Sequence, residues 1–248
     1  SEQLAKQIGS YSSGYYYGTD IIINSPALTE AGVLSMLEGM RVGGSRTAVI
    51  PGWLNVTDVY DTEEEYLENC TGDDVIYSIK VLDQMDDIYV WEIDTLEQFS
   101  RKWMEGVDST EYGYYYKQLK APKDDHTLPT DTSFYINYTG RLMNGQVFDT
   151  TIKDTAKVYG IYSTTKEYTP MKVSMDEDYT SITMATSSSS SGSTLVNGFS
   201  YCLSNLKLYE KGIVAFYSVH GYGSTGKSPA IPKYAPISFE IEMVDEPE

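Results

Sequence analysis

The stretch that decides the fold is residues 134–151, which read Phe-Tyr-Ile-Asn-Tyr-Thr-Gly-Arg-Leu-Met-Asn-Gly-Gln-Val-Phe-Asp-Thr-Thr. Its apolar side chains Phe134, Ile136 and Tyr138 stand at every second position. Successive side chains of a strand point to opposite faces, so this period predicts a β-strand with one apolar face. We expect the strand to bend at Gly140.

A tight turn is predicted where this strand ends. The dipeptide Asn144-Gly145 lies between two apolar runs, which is a strong hairpin signal because both residues tolerate a positive φ. The returning strand then carries Phe148 and Asp149 back toward Tyr138. We therefore expect two aromatic side chains and one carboxylate to lie close together. An ordinary hairpin with a decorated turn is the alternative interpretation.

The same stretch resembles the FKBP-type peptidyl-prolyl isomerases, whose first long strand and bend carry the pattern Y-T-G-x-L-x-x-G-x-x-F-D. Every fixed position of that pattern is occupied here, by Tyr138, Thr139, Gly140, Leu142, Gly145, Phe148 and Asp149. The resemblance implies an α+β fold in which a curved antiparallel sheet wraps around one central helix. It covers about residues 113–155 and 195–245, and more weakly residues 29–51 and 75–83.

The resemblance also implies the other residues of a substrate pocket. The family element V-I-x-G-W, which opens the central helix, corresponds to residues 195–199, where Phe199 replaces the tryptophan. The implied walls and floor are Tyr138, Phe148, Val196, Phe199, Ile231 and Phe239. The implied catalytic residues are Tyr222, as a hydrogen-bond donor to the substrate carbonyl, and Asp149, which would orient neighbouring side chains or polarise the carbonyl region.

The resemblance implies peptidyl-prolyl cis–trans isomerisation, a protein-folding activity on X-Pro bonds of peptide or protein clients. Rotation about an amide makes and breaks no covalent bond, so the reaction needs no cofactor, metal or nucleophile. The alternative is a non-catalytic peptide- or protein-binding module that keeps the FKBP fold. The change to Phe199 favours this alternative, whereas Asp149 and Tyr222 favour catalysis.

The composition argues against two classes of binding partner, nucleic acids and the membrane interior. The 248 residues carry a formal net charge of −18, which repels phosphate backbones and argues against nucleic-acid binding. No apolar run approaches the roughly 18–20 residues that span a bilayer, so no membrane span is predicted. The sequence begins at Ser1 rather than at a methionine, so we expect a trimmed N-terminus and a protein exported to the periplasm or cell envelope, with a cytoplasmic location as the alternative. The sequence leaves self-association open.

A short internal repeat indicates two copies of one domain. A helical pattern followed by Gly-Tyr-Tyr-Tyr occurs at Gly14 and again at Gly113, and a glycine that opens a helix before a strand occurs at Gly32 and Gly198. The two offsets, 99 and 166, differ by 67 residues. The first copy therefore lacks the part that holds the Tyr-Thr-Gly strand. Either that copy lost its hairpin, or the sequence omits a segment.

We therefore predict three parts. Residues 1–93 form a partial, degenerate FKBP-like domain, residues 94–107 a linker helix, and residues 108–248 an FKBP-like isomerase domain. The linker is predicted from Leu96, Phe99 and Trp103 at helical spacing. The run Ser187–Ser191 predicts a flexible loop.

Few side chains suit other chemistries. Cys70 and Cys202 fall in different copies, so we predict free thiols. His126 and His220 stand in no ligand spacing, so no metal site is predicted. Acidic clusters such as residues 61–65 are expected to be solvated loops, with weak calcium binding as the alternative.

Overall fold

The computed structural model describes residues 1–55, 61–69, 72–111, 113–123, 133–175, 182–184 and 196–247. These residues form two compact units, a small unit of residues 21–87 and a large unit of residues 1–20 and 88–248. The predicted serine loop at 187–191, Cys70 and His126 lie outside the described residues.

The helices and strands are named here in chain order. They are α1 (Glu2–Gln7), α2 (Ala31–Leu37), β1 (Ser45–Ile50), α3 (Glu63–Asn69), β2 (Val75–Lys80), α4 (Ile88–Trp103), β3 (Tyr114–Lys120), β4 (Ser133–Leu142), β5 (Val147–Thr150), α5 (Lys153–Val158), β6 (Met171–Met175), β7 (Ile182–Met184), α6 (Asn197–Asn205), β8 (Lys211–Phe216) and β9 (Ile237–Val244). Short 3-10 turns cover Gly52–Leu54 and Ser218–His220.

The large unit is built on one antiparallel sheet with the strand order β3-β8-β9-β4-β6-β7, and β5 also pairs with β4. Helix α6 packs on one face, where Phe199, Cys202 and Leu203 join a core with the strand residues Val214 and Phe216. Apolar residues of the strands alternate between the two faces of the sheet. The predicted α+β class, with a sheet around one helix, is confirmed for this unit.

The other face of β3 and β8 is covered by α4. Its buried Leu96 and Phe99 pack with Tyr115, Ile213 and Ala215 in a second apolar cluster. The helix predicted within residues 94–107 spans Ile88–Trp103 and packs as part of the large unit, and its role as a linker stays a prediction. Residues 1–20 also belong to the large unit by their contacts, while a division of the chain into two copies near residue 93 stays a prediction.

The predicted hairpin of β4 and β5 forms as expected, but its turn differs from the predicted two-residue Asn144-Gly145 turn. Only Gly145 has a positive φ, of 92°, and Asn144 does not. The N–H of Gly145 donates to the carbonyl of Leu142 at 2.9 Å, and the N–H of Leu142 donates to the carbonyl of Gln146 at 2.9 Å. These bonds enclose a three-residue loop with a left-handed glycine, a common hairpin connection that produces a bulge. The register shift between Gly140 and Arg141 is consistent with this bulge.

The small unit contains a two-stranded antiparallel sheet of β1 and β2 with α2 packed against it. Its core consists of Val33, Met36 and Ile50, with half-buried neighbours that include Tyr77. Two strands with one helix are close to the lower limit of an independently stable fold.

One expectation about the cysteines is met within the described residues. Cys202 is a free thiol with no exposed surface, which agrees with the prediction for this cysteine. Throughout the described ranges, no helix is both long and apolar enough to cross a bilayer.

Candidate functional site

Four aromatic side chains from four different elements converge at the end of α6. Phe239 of β9 is at the centre, with its ring centroid 5.0 Å from that of Phe199, 5.6 Å from Phe148 and 6.1 Å from Tyr138. The interplanar angles of 78°, 89° and 66° are those of edge-to-face pairs, which the aromatic quadrupole favours by about 0.5–1.5 kcal/mol each. We call Tyr138, Phe148, Phe199 and Phe239 the aromatic cup.

Gly140 makes this convergence possible. It lies in β4 opposite Phe239 of β9 and opposite Asp149 of β5. A Cβ atom at this position would lie 2.5 Å from the Phe148 ring and 2.8 Å from the Phe239 ring. The two rings therefore meet across the strand only because position 140 has no side chain.

The carboxylate of Asp149 is held at the rim of the cup. It accepts a hydrogen bond from the Tyr138 hydroxyl at 2.7 Å and one from the backbone N–H of Thr150 at 2.9 Å. The ammonium group of Lys166 forms an ion pair with Oδ1 of Asp149, the oxygen that also accepts the Thr150 N–H. Burial raises the pKa of Tyr138, and the negative charge of Asp149 raises it further. The tyrosine therefore remains a protonated donor.

Tyr222 is half-buried and packs against the same apolar core as the cup. The loop that carries it is tied to Ser218, whose carbonyl accepts the N–H of Gly223 at 2.8 Å. Ser218 is in turn bound by the buried Glu92 of α4, whose two carboxylate oxygens accept the Ser218 N–H and hydroxyl, each at 2.7 Å. Burial raises the pKa of Glu92. Helix α4 thus supports the loop that presents Tyr222.

The remaining residues implied by the resemblance lie in the same region. Ile231 is buried, Val196 is half-buried directly before α6, and both belong to or pack on the core that contains the cup. The structure therefore brings together all eight residues that the resemblance implied, namely Tyr138, Phe148, Asp149, Val196, Phe199, Tyr222, Ile231 and Phe239. Their assignment to substrate binding and catalysis stays a prediction.

A cavity of about 340 Å³ adjoins Phe148 and Asp149. One side of it is formed by residues 160–163 with Lys166, and another by the N-terminal residues Ser12, Ser13 and Gly14. A segment more than 130 residues away in sequence thus reaches the rim of the candidate site.

Three features of this site were not predicted from the sequence. Lys166 lies in a loop without periodicity, 17 residues after Asp149. Glu92 is a charged residue on a helix, which normally indicates a solvated face. Ser12–Gly14 lies outside the family pattern. The sequence signal in this segment was the Gly-Tyr-Tyr-Tyr repeat at Gly14 and Gly113, which indicated common ancestry and not contact.

No metal centre is apparent in the parts of the chain that the structure describes. Within these ranges, no group of three or more histidine, cysteine, aspartate or glutamate side chains is placed to hold an ion.

Comparison with known proteins finds relatives of the large unit. Residues 125–244 match the family model described as FKBP-type peptidyl-prolyl cis-trans isomerase. A probable FKBP-type peptidyl-prolyl cis-trans isomerase of Haemophilus influenzae is 25% identical over 154 residues, which cover 60% of this chain and 50% of that protein. FK506-binding protein 1A of Aspergillus fumigatus is 24% identical over 129 residues, which cover 52% of this chain and 90% of that protein.

A similar solved structure is the crystal structure of a peptidyl-prolyl cis-trans isomerase from Pseudomonas syringae. It shares 18% sequence identity with a TM-score of 0.41, and the match covers 65% of this chain and 97% of that one. The chain spans half the length of the Haemophilus influenzae relative.

Proposed function

We propose that this protein isomerises X-Pro bonds of peptide or protein clients in the aromatic cup, since residues 125–244 match the family model of the FKBP-type peptidyl-prolyl cis-trans isomerases. The observation that carries the proposal is the convergence of Tyr138, Phe148, Phe199 and Phe239 around Asp149. The pattern Tyr138-Thr139-Gly140 to Phe148-Asp149 supplies the two walls, and α6 supplies the floor.

The chemical task is to twist an amide. Amide resonance sets a barrier of about 18–20 kcal/mol, which makes the uncatalysed rotation of an X-Pro bond slow. An environment with little water around the proline ring disfavours the polar planar amide relative to the twisted one. Hydrogen-bond donors fixed where charge develops lower the barrier further. An edge-to-face ring cluster with one polar rim supplies such an environment.

The individual roles follow from position. Phe199 and Phe239, which are 2% and 5% exposed, form the apolar floor against which a pyrrolidine ring would pack. Tyr222 stands at the rim and would donate its hydroxyl to the substrate carbonyl. Asp149 would fix the Tyr138 hydroxyl and the Lys166 ammonium in place around the carbonyl.

A second candidate function is peptide or protein binding without turnover. The contact of residues 12–14 with the cavity beside Phe148 and Asp149 favours it, because a partly covered pocket suits slow capture better than rapid exchange. Phe199 in place of tryptophan also reduces the floor that a proline ring would contact.

A protease-coupled assay with a proline tetrapeptide separates the two functions. We expect the full chain to accelerate isomerisation, Asp149→Ala to reduce kcat/KM by about 10-fold or more, and Tyr222→Phe by several-fold, in line with the loss of one or two polar contacts. Isothermal titration with the same peptide reports binding. Binding without acceleration would favour the second candidate, and neither signal would reject both.

Matched controls keep the assay specific. Asp154→Ala removes a carboxylate whose side chain is 91% exposed on α5, five residues from Asp149. Tyr159→Phe removes the hydroxyl of an exposed tyrosine in the turn after that helix. Neither control should alter the rate. An equal loss of kcat/KM in Asp149→Ala and Asp154→Ala would mean that the rate depends on the net charge of the protein and not on the position of Asp149.

The clients would be peptides or proteins that contain proline, and the family match supports this general class. A place outside the cytoplasm, in the periplasm or cell envelope, stays a prediction of the sequence. Fractionation of the native host would test it.

A further inference from the structure

The N-terminal residues 11–17, which we call the strap, form an ordered loop before the chain enters the small unit. Tyr11 and Tyr17 stack with ring centroids 5.6 Å apart. The N–H of Ser12 donates to the Tyr17 hydroxyl at 3.0 Å, and the N–H of Tyr15 donates to the carbonyl of Ser12 at 3.1 Å. The second bond closes a turn with Ser13 and Gly14 at its centre.

The strap is bound to the large unit at three points that belong to three separate elements. The Ser13 hydroxyl donates to the carbonyl of Gly160, which follows α5. The side-chain amide of Gln146, in the β4–β5 turn, donates to the carbonyl of Tyr15 at 3.1 Å. The N–H of Tyr16 donates to the carbonyl of Pro229 at 2.8 Å. Pro229 lies in the loop between Tyr222 and Ile231.

The ring of Tyr16 strengthens this attachment. It packs against the apolar core that contains the aromatic cup and is half-buried there. Burial raises the pKa of its phenol, whose hydroxyl donates to the carbonyl of Thr19 at 3.0 Å. An aromatic side chain between two backbone contacts is a common way for a peptide to bind a surface.

The turn of the strap faces the candidate site itself. Ser12, Ser13 and Gly14 line the same cavity as Phe148 and Asp149. A cis X-Pro bond also forms a turn, with the proline at its third position. A client whose proline enters the cup would meet the strap at the side of Phe148 and Asp149.

We propose that the strap is an internal occupant of the client site, and that the surface between Gly160 and Pro229 is the subsite for the client residues that flank the proline. This inference rests on the proposed function, since it names the residues around the same cup. The ligand class of the subsite is a turn-forming peptide backbone with one aromatic side chain beside it.

The strap is held weakly enough to be displaced. Its polar anchors are exposed or half-buried hydrogen bonds, which contribute little net free energy each because water competes for the same groups. A segment tethered nearby competes with an effective concentration on the order of millimolar, so the strap lowers the apparent affinity of clients without abolishing it.

A reversible crosslink tests this directly in the full chain. A Cβ atom built on Gly160 lies 3.4 Å from the Cβ of Ser13, close to the distance of about 3.5–4.5 Å that a disulfide requires. The variant Ser13→Cys with Gly160→Cys, in a Cys70→Ser background, should form this bond, and the buried Cys202 should remain reduced. The single variants Ser13→Cys and Gly160→Cys, in the same background, serve as controls.

The oxidised double variant is expected to bind a proline tetrapeptide with an aromatic neighbour at least 10-fold more weakly than its reduced form, with the same loss in kcat/KM. Reduction should restore both, and neither single variant should respond to redox conditions. Equal binding and turnover in the locked and reduced forms would overturn the proposal. Binding that responds to the lock without any turnover would reject the proposed catalysis and support the subsite.

A second pair of variants decides the matter if the crosslink fails to form. Tyr16→Ala and Ser13→Ala remove a half-buried ring and a hydroxyl contact of the strap, and Tyr15→Ala removes a more exposed ring of the same segment. The first two should raise peptide affinity about 3- to 10-fold, and Tyr15→Ala should change it less. Unchanged or lower affinity in both Tyr16→Ala and Ser13→Ala would overturn the proposal, as would the absence of peptide binding in every form.

Discussion

The small and the large unit contain the same local arrangement with different surroundings. In each, a helix whose second residue is glycine precedes two antiparallel strands: α2, β1 and β2 in the small unit, and α6, β8 and β9 in the large unit. A Cβ on Gly32 would lie 2.3 Å from Ile50, the last residue of β1. A Cβ on Gly198 would lie 2.2 Å from Phe216, the last residue of β8.

The correspondence extends along the chain, since an offset of 166 residues relates both Gly32 to Gly198 and Ile50 to Phe216. The agreement in packing supports the hypothesis of an ancient repeat. The sequence alone had given only the glycine and the helical spacing, and the contact with the strand end is a feature that only the structure displays.

The two units differ in the strands that surround the shared helix, and this difference indicates which elements the candidate function depends on. In the large unit, β8 and β9 are flanked by β3 and β4, and the walls Tyr138 and Phe148 belong to the β4–β5 hairpin. Among the described residues of the small unit, the sheet has two strands, and Val33 stands where the large unit has Phe199. The shared helix and strands supply a floor, and the hairpin turns that floor into a cup.

The largest expected effect is the loss of stability and of peptide binding when an aromatic ring is removed from the core of the large unit rather than from that of the small unit. Phe239→Ala removes a 5% exposed ring that contacts Tyr138, Phe148, Phe199 and Phe216, and should destabilise β9 by about 3–5 kcal/mol and abolish peptide binding. Tyr77→Ala removes the half-buried ring of β2, at a cost of about 1–2 kcal/mol, and should leave binding unchanged. Native-state hydrogen exchange of β9 and β2 peptides measures each unit separately. Retained peptide binding in Phe239→Ala would remove the cup from the proposed function.

The next effect tests the shared glycine. Gly198→Ala and Gly32→Ala each force a methyl group against the end of a strand, and should cost about 1–3 kcal/mol through overpacking. Only Gly198→Ala should weaken peptide binding, because it displaces the neighbouring Phe199. Hydrogen exchange of the two units and titration with the peptide measure both. If Gly32→Ala has no effect on exchange while Gly198→Ala does, the two helices do not share a packing constraint.

A smaller effect comes from Glu92 and depends on pH. Burial raises its folded-state pKa above the ordinary value of 4.5, so its contribution to stability is full below that value and is lost as the pH rises through the folded-state pKa. Urea unfolding should therefore show the wild type losing stability relative to Glu92→Gln as the pH rises from 4 to 7. Exchange of β2 peptides should not respond, since Glu92 belongs to the large unit. A constant difference across this range would contradict the assigned cause.

The smallest effect compares two tyrosine hydroxyls. Tyr138→Phe removes the donor that holds Asp149 at 2.7 Å, and should lower kcat/KM about 3- to 10-fold with at most about 1 kcal/mol of lost stability. Tyr77→Phe removes a hydroxyl that bonds Asn55 at 3.3 Å in the small unit, and should leave the rate unchanged. The coupled assay and thermal unfolding check both variants. A normal rate in Tyr138→Phe would show that Asp149 needs no help from this hydroxyl.

The sequence by itself determined the parts that depend on local patterns. Alternation of Phe134, Ile136 and Tyr138 predicted β4, and the Asn144-Gly145 signal predicted a hairpin that returns Phe148 and Asp149 to Tyr138. Both follow from short-range geometry, because strand period and turn preference involve only a few neighbouring residues. The resemblance to a known family then located Phe199, Tyr222 and Phe239.

Only the tertiary structure decided which distant groups complete the site. The turn is a three-residue loop that the hydrogen bonds of Leu142 with Gly145 and Gln146 close, and β5 pairs with β4 through a register shift between Gly140 and Arg141. Glu92 reaches Ser218 across 126 residues, and Ser13 reaches Gly160 across 147. No periodic pattern marks such pairs, because their partners are brought together by the packing of α4 and of the strap on the finished sheet. The rim of the cup is therefore a product of long-range packing, while its walls are products of local sequence.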